Sequence, residues 1–462
     1  VSAVLDRLLW FPRNSVLSLL PHIKQELTVR PDTYRGKAAP FCLMVEGSDW
    51  VGVPRAWGMT QKWLPHHLGV EDRTVRPFLK WPAFVGSYRT GQQESVDQLV
   101  HSFESEKKYG ALLEAKTGTG KTVMALAIAA LLDTPTLVVV HKEDLADQWQ
   151  MLLTGGMKGK IFVDPLFPGG EVGHIQGDKW DYQGKHLTTA MAQTLYSRQG
   201  QEPEDFWRQF GLVIYDEGHR YPARTFEAVL ARAPARFRMA VSATWRRRDK
   251  LECIWHWHVG SLEHRTKGVH LVGEYAIVQW HTNVQDRMFL QYRRVNHASY
   301  LTAIAKNAPY NEWLADQLIK GAQAGRQTLL CSHRTEQLSD IRKRILKQGL
   351  GLSVGYYAGR VDNRLITKDE LETTKKCQIV LATFAKMAEG TDISTLDTLI
   401  LATPAADVEQ VVGRIQRPEI GKRPLLVVDP VWQTPYNIRL HYKRKKVYQR
   451  LGFTPQPKET KK

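Results

Sequence analysis

Apolar residues along this chain fall into short runs, and the stretches between them change periodicity. "GALLE" (110–114), "TLVVV" (136–140), "LTTAM" (187–191), "GLVIYD" (211–216) and "MAVSAT" (239–244) show little polar alternation and many β-branched side chains. That is the pattern of parallel strands covered on both faces. Stretches with helical spacing, such as "VMALAIAALL" (123–132), lie between them. The alternation predicts a parallel sheet in an α/β domain. A second series, "TLLCS" (328–332), "CQIVLAT" (377–383), "TLILATP" (398–404) and "PLLVVDP" (424–430), predicts another domain of similar build.

The first 84 residues break this rhythm. "FCLMVEG" and "DWVGVPRAWG" alternate briefly and are interrupted by Pro and Gly, which predicts a small β-containing domain. Pro65, Pro77 and Pro82 punctuate the way out of it. The expected organisation is an accessory domain over 1–84, a first α/β lobe over 85–266, a second over 267–435, and a basic helix with a tail over 436–462. A chain of 462 residues is long for one core, in keeping with several domains. "TPQPKETKK" at the end is polar and Pro/Lys-rich, and disorder is expected there.

Composition narrows the class. No window approaches a membrane-spanning apolar stretch, and "VSAVLDRLLWFPR" lacks the pattern of a secretory signal, so a cytoplasmic protein is expected, in the host cytoplasm if viral. Cys42, Cys253, Cys331 and Cys377 are scattered, which argues for reduced thiols. "CIWHWH" (253–258) has no second cluster to complete a zinc site. Lys and Arg outnumber Asp and Glu by 64 to 47, giving +17. Such an excess suits a polyanionic partner, nucleic acid ahead of an anionic membrane.

Candidate chemistry begins where "GLVIYDEGH" stops on Asp216 and Glu217. Two adjacent carboxylates at a strand end repel unless a cation sits beside them. Taken alone, "DE" reads more readily as a solvated acidic turn. "AKTGTGKT" (115–122) changes that reading. It follows a strand and opens a helix, the context in which glycines let backbone amides surround phosphates. Gly118, Thr119 and Gly120 form the loop, Lys121 is placed to reach the β- and γ-phosphates, and Thr122 offers a hydroxyl to magnesium. Ala115 stands where the strict pattern has Gly. With ATP bound there, Asp216 can hold magnesium and Glu217 can orient or deprotonate water.

In order along the chain, "YRTGQQ", "AKTGTGKT", "VVVHKEDLADQW", "GHIQG", "TTAMAQTL", "DEGH", "SATW", "LLCSHRTEQL", "ATFAKMAEGTDI" and "QVVGRIQRP" resemble the motifs of superfamily 2 helicases, over about residues 86 to 430. The resemblance implies two RecA-like parallel-sheet lobes in tandem that use ATP and Mg2+. It implies Gln92 at the adenine, Gly390 and Asp392 at the nucleotide, and Arg414 and Arg417 as arginine fingers. His219, Ser242, Thr244 and Gln410 are implied in coupling the lobes. Thr383 is implied near a nucleic-acid phosphate, and Thr188, Thr189, Gln193 and Arg334 offer further donors suited to phosphates. Gly218, where Cys or Ala is usual, and Trp245, where Pro is usual, depart from the pattern.

Within that family the motifs look closest to phage recombination helicases of the UvsW type and poxvirus transcript-release helicases. The expected substrate is duplex or branched DNA, with branch migration or fork remodelling as the outcome and replication, recombination or transcription proteins as possible partners. The alternative is a transcription-linked translocase that releases transcripts or displaces polymerase. A small-molecule kinase or GTPase would need neither the finger motif nor the basic excess. The accessory domain is expected to bind DNA. "RLHYKRKKVYQRLGF" (439–453) predicts a helix with Tyr442, Val447 and Leu451 at helical spacing, presenting Lys443, Arg444 and Lys446 to nucleic acid. A solvated basic helix is the competing reading.

Overall fold

A strand with no polar face has to lie between two covering layers, so the uninterrupted apolar runs become sheet interiors. The computed structural model describes all residues except 1, 34–35, 38, 64–68, 116–118, 159–160, 218–222, 244, 246, 248, 266–270, 284, 292–293, 389–392, 418, 420 and 457–462. The chain divides into two units, 1–268 and 269–462.

The first unit opens with a five-stranded sheet of β1 (Ala3–Leu5), β2 (Leu9–Pro12), β3 (Val45–Glu46), β4 (Trp50–Val53) and β5 (Val70–Asp72), ordered β3-β4-β2-β1-β5. Its main sheet has eight described strands: β6 (Gly110–Glu114), β7 (Thr136–Val140), β8 (Val172–Gln176), β9 (Lys179–Asp181), β10 (Leu187–Met191), β11 (Leu212–Asp216), β12 (Phe237–Ser242) and β13 (Leu262–Arg265). Their order is β9-β8-β10-β7-β11-β12-β6-β13, and every pair is parallel except the β8–β9 hairpin. β7, β10, β11 and β12 are buried along their whole length. Helices α1 (Gln92–Glu104), α2 (Lys121–Leu131) and α3 (Glu143–Thr154) belong to this unit.

The small sheet is tied to the main one by polar contacts. Arg55, in the "VPRAWG" segment and 2% exposed, donates to the carbonyls of Ala235 at 2.8 Å and Arg236 at 3.0 Å. Tyr109 donates its hydroxyl to Asp72 at 2.9 Å, with the Arg236 guanidinium 4.2 Å from its ring centre.

The second unit is built on seven parallel strands: β14 (Gly273–Trp280), β15 (Thr328–Ser332), β16 (Val354–Tyr357), β17 (Ile379–Thr383), β18 (Thr398–Leu401), β19 (Leu425–Trp432) and β20 (Phe453–Pro455). They run β16-β17-β15-β18-β19-β14-β20. Helices α4 (Thr335–Lys347), α5 (Glu409–Ile415) and α6 (Pro435–Arg450) complete the elements used below. Thr434 caps α6, its hydroxyl accepting from the Asn437 amide at 3.3 Å. The α/β class expected from the alternating runs is the one observed, with two parallel sheets in tandem and a small β sheet ahead of them.

Candidate active site and nucleic-acid contacts

Two strands bring the phosphate-loop chemistry together. β6 runs into the loop that opens α2, and β11 ends at Asp216, two strands away across β12. Gly118 lies outside the described residues, whereas Thr119 and Gly120 are seen. Gly120 takes φ 81° at the N-terminus of α2. That conformation favours glycine, and a Cβ there would stand 2.1 Å from Nε2 of Gln92, so a side chain would also have to displace the Gln92 amide. Gln92 itself is buried; it donates to the Thr119 carbonyl at 2.7 Å and accepts from the Arg89 amide at 2.8 Å. Its amide therefore braces the loop. Thr122 is half-buried in the first turn of α2.

At the end of β11 the backbone turns sharply. Glu217 adopts φ 50°, unusual for a residue with a side chain, and its amide donates to Val241 at 3.0 Å. Its carboxylate pairs with the ammonium of Lys121. Asp216 is 5% exposed, and Oδ2 accepts from the indole N–H of Trp149 at 2.9 Å. Burial pushes the Asp216 carboxyl well up from its usual range, the neighbouring Glu217 pushes the same way, and Lys121 and Trp149 oppose both. This carboxylate is short of compensating charge. A hydroxyl from Thr122 and a carboxylate from Asp216 are hard oxygen donors of the kind magnesium takes alongside substrate phosphates and water. Ser242 is fully buried at the end of β12, its carbonyl accepting from Ala115 at 2.9 Å. His219 and Thr244 lie outside the described residues.

In the second unit Arg414 is 3% exposed on α5 and donates Nε to the Met387 carbonyl at 2.9 Å. Arg417 is 8% exposed, and its carbonyl accepts from Lys422 at 2.7 Å. Gln410 is half-buried one turn before Arg414. Gly390 and Asp392 lie outside the described residues. Thr383 is half-buried at the end of β17 and accepts from the Lys386 amide at 3.3 Å. Arg334 donates to the Thr302 hydroxyl at 3.1 Å and the Ala298 carbonyl at 2.8 Å. His333 beside it stacks on Phe384 with ring centres 4.4 Å apart. Burial holds His333 down at about 4, helped by His297 and Arg334.

Three of the proposed nucleic-acid contacts are corrected. Thr188 and Thr189 have no exposed surface, because β10 is an inner strand buried on both faces. The Thr189 hydroxyl accepts from Gln150 at 2.6 Å and meets His174 Nδ1 at 2.8 Å. Of that segment, Gln193 is exposed. Arg444 is also without exposed surface. It bonds Asp429 through Nε at 2.9 Å, the Ala405 carbonyl at 3.0 Å and Asn437 at 3.4 Å. His441 and Tyr448 bond the same aspartate at 3.1 and 3.0 Å. The buried stripe of α6 is Asn437, Leu440, His441, Arg444 and Tyr448, whereas Tyr442, expected to pack, is 61% exposed. Arg439, Lys443 and Lys446 line the exposed side, and Arg450 on that side pairs with Glu409.

Sequence reasoning missed Trp149, Asp429 and Arg55. The signal for Asp429 was present: a lone acid inside "LLVVDPVW" needs a cation, and α6 carries one at i+7 from Asn437.

Residues 86–247 match the family described as "Type III restriction enzyme, res subunit". The chain is 27% identical over 433 residues to the mimivirus protein named "Putative ATP-dependent RNA helicase L396", covering 89% of this chain and 78% of that one. It is 23% identical over 440 residues to "Probable helicase D10" of Escherichia phage T5, covering 94% and 89%. Among solved structures, an HsdR-subunit fragment of a type I restriction enzyme from Vibrio vulnificus YJ016 superposes with a TM-score of 0.52 at 18% identity, covering 76% of this chain and 65% of that one. The chain resembles viral and phage helicases of superfamily 2 and is an ATP-dependent helicase.

Proposed function

We propose that this chain hydrolyses ATP with magnesium and uses the turnover to move along duplex or branched DNA, remodelling forks or migrating branches. The observation that carries the hydrolytic part is the pairing of Glu217 with Lys121 beside a buried, under-compensated Asp216. Thr122 and Asp216 would hold the metal. Magnesium bound there would neutralise charge on the β- and γ-phosphates. Incoming phosphates compete for Lys121, and Glu217, released from it, orients the attacking water and accepts its proton. Gln92, Gly390 and Asp392 act at the nucleotide, and Arg414 and Arg417 at the γ-phosphate. His219, Ser242, Thr244 and Gln410 couple the two lobes.

Nucleic acid is gripped by its backbone through Gln193, Arg334 and Thr383, with the exposed strip Arg439, Lys443 and Lys446 on α6 as a further contact. The excess of 17 positive charges supports a polyanionic substrate. Kinship with a restriction-enzyme subunit favours DNA. An RNA-directed or transcript-releasing role is the second reading, favoured by the printed name of the mimivirus relative. ATPase stimulation compared across single-stranded DNA, duplex, fork, four-way junction and RNA decides between them. Strongest stimulation by fork or junction is the expected result, and stimulation by RNA alone would replace this reading with the second.

A further inference from the structure

We infer that Trp149 is a positioning residue for hydrolysis, holding Asp216 in the orientation that receives the metal. The inference rests on the reading of Asp216 as the metal-binding carboxylate. β7 pairs directly with β11, and α3, which follows β7, presents Ala146, Trp149 and Leu153 as its buried face. That spacing lays the indole over the sheet at the end of β11. Trp149 is 1% exposed, so it reaches no substrate, and its effect has to pass through what it touches.

An indole has one polar atom, a donor, and here it is spent on Oδ2 of Asp216 at 2.9 Å. An ionised carboxylate has two equivalent oxygens and a torsion that interchanges them. A rigid donor fixed to one oxygen removes that freedom and leaves the other to face the cation. Partners of this kind, one shell out from a metal, carry a large share of metal affinity. The rest of the indole packs in the apolar layer of the first unit, which keeps the donor in place.

The decisive test removes the donor and keeps the ring. Site-specific replacement of Trp149 by 3-benzothienylalanine puts sulfur where the N–H was, with Trp149→Phe as the simpler variant and thermal melting as the control for folding. Mn2+ is titrated into the full-length protein with ADP and followed by electron paramagnetic resonance, and ADP binding in chelator is measured separately. We expect the Mn2+ dissociation constant to rise about tenfold, with metal-free ADP binding unchanged and the melting temperature of the benzothienyl protein preserved. Asp216→Asn is run in parallel. If Asp216→Asn weakens Mn2+ and the benzothienyl protein does not, the role of Trp149 is overturned while the metal reading of Asp216 stands. If Asp216→Asn leaves Mn2+ binding intact, that reading falls, and the inference with it.

Discussion

Asp216 and Asp429 are both buried aspartates on parallel strands, one in each unit, and they stand in opposite states. Asp429 accepts from Arg444, His441 and Tyr448, and these partners hold its carboxyl below the usual range despite complete burial. Asp216 has the Trp149 indole as donor, with the Glu217 backbone amide and the Lys121 charge also favouring its ionised form, but burial and the second carboxylate next to it outweigh them and its carboxyl is pushed up. Burial costs both of them; the number of compensating donors decides the outcome. A saturated carboxylate is an anchor for a helix. An under-compensated one, at the end of a central strand, is where we propose that the metal binds.

Several experiments can break or sharpen that contrast. The largest effect is expected for Glu217→Gln, which removes the base and keeps the shape: turnover should fall about 10²–10⁴-fold, with ATP binding retained and melting unchanged. Normal single-turnover hydrolysis would remove Glu217 from the chemistry. Next is Asp429→Ala, which leaves Arg444 charged and buried without its counterion. Chemical denaturation should show a loss of about 3–5 kcal/mol, whereas Asp216→Asn, which removes a repelling charge, should melt no lower than the parent. Equal losses in the two variants would mean that donor count does not distinguish the two sites.

A third test uses a half-buried group with weak compensation. His333 is held near 4, below the ordinary histidine value, with His297 and Arg334 facing it and the Thr403 hydroxyl as its bonded partner. Because its folded pKa is depressed, the unfolded chain binds the extra proton between about pH 6.5 and 4. Stability should therefore fall as pH drops through that window, by up to about 3 kcal/mol in all. His333→Gln should flatten the acid limb, and an unchanged pH profile of denaturation would show that burial there is relieved by some other means. The smallest change to the folded protein is expected on the outer side of α6. Replacing Arg439, Lys443 and Lys446 by Ala should reduce the slope of log affinity against log salt on duplex DNA by about 2–3, with basal ATPase unaffected. Arg444→Ala should instead lower the melting temperature, which separates the buried face from the exposed one.

Much of this was legible in the chain. Unbroken apolar runs predicted the strands and the parallel sheets, because periodicity is a property of neighbours in sequence. The same local reading erred at Thr188 and Thr189, where hydroxyls suited to a phosphate lie in a strand covered on both faces, and at Arg444, where a run of cations concealed one that points inward.

What the sequence by itself determined was the set of elements, their class, and the order of the chemical motifs. What only the tertiary structure decided was the partner of each buried polar group: Trp149 for Asp216, Arg444 for Asp429, and the carbonyls of Ala235 and Arg236 for Arg55. A hydrogen bond needs its atoms within about 3 Å, and these pairs are brought that close by strand order and helix packing across as many as 181 residues of chain. No local pattern encodes that distance, so the charge state and role of those side chains were settled when the sheets assembled.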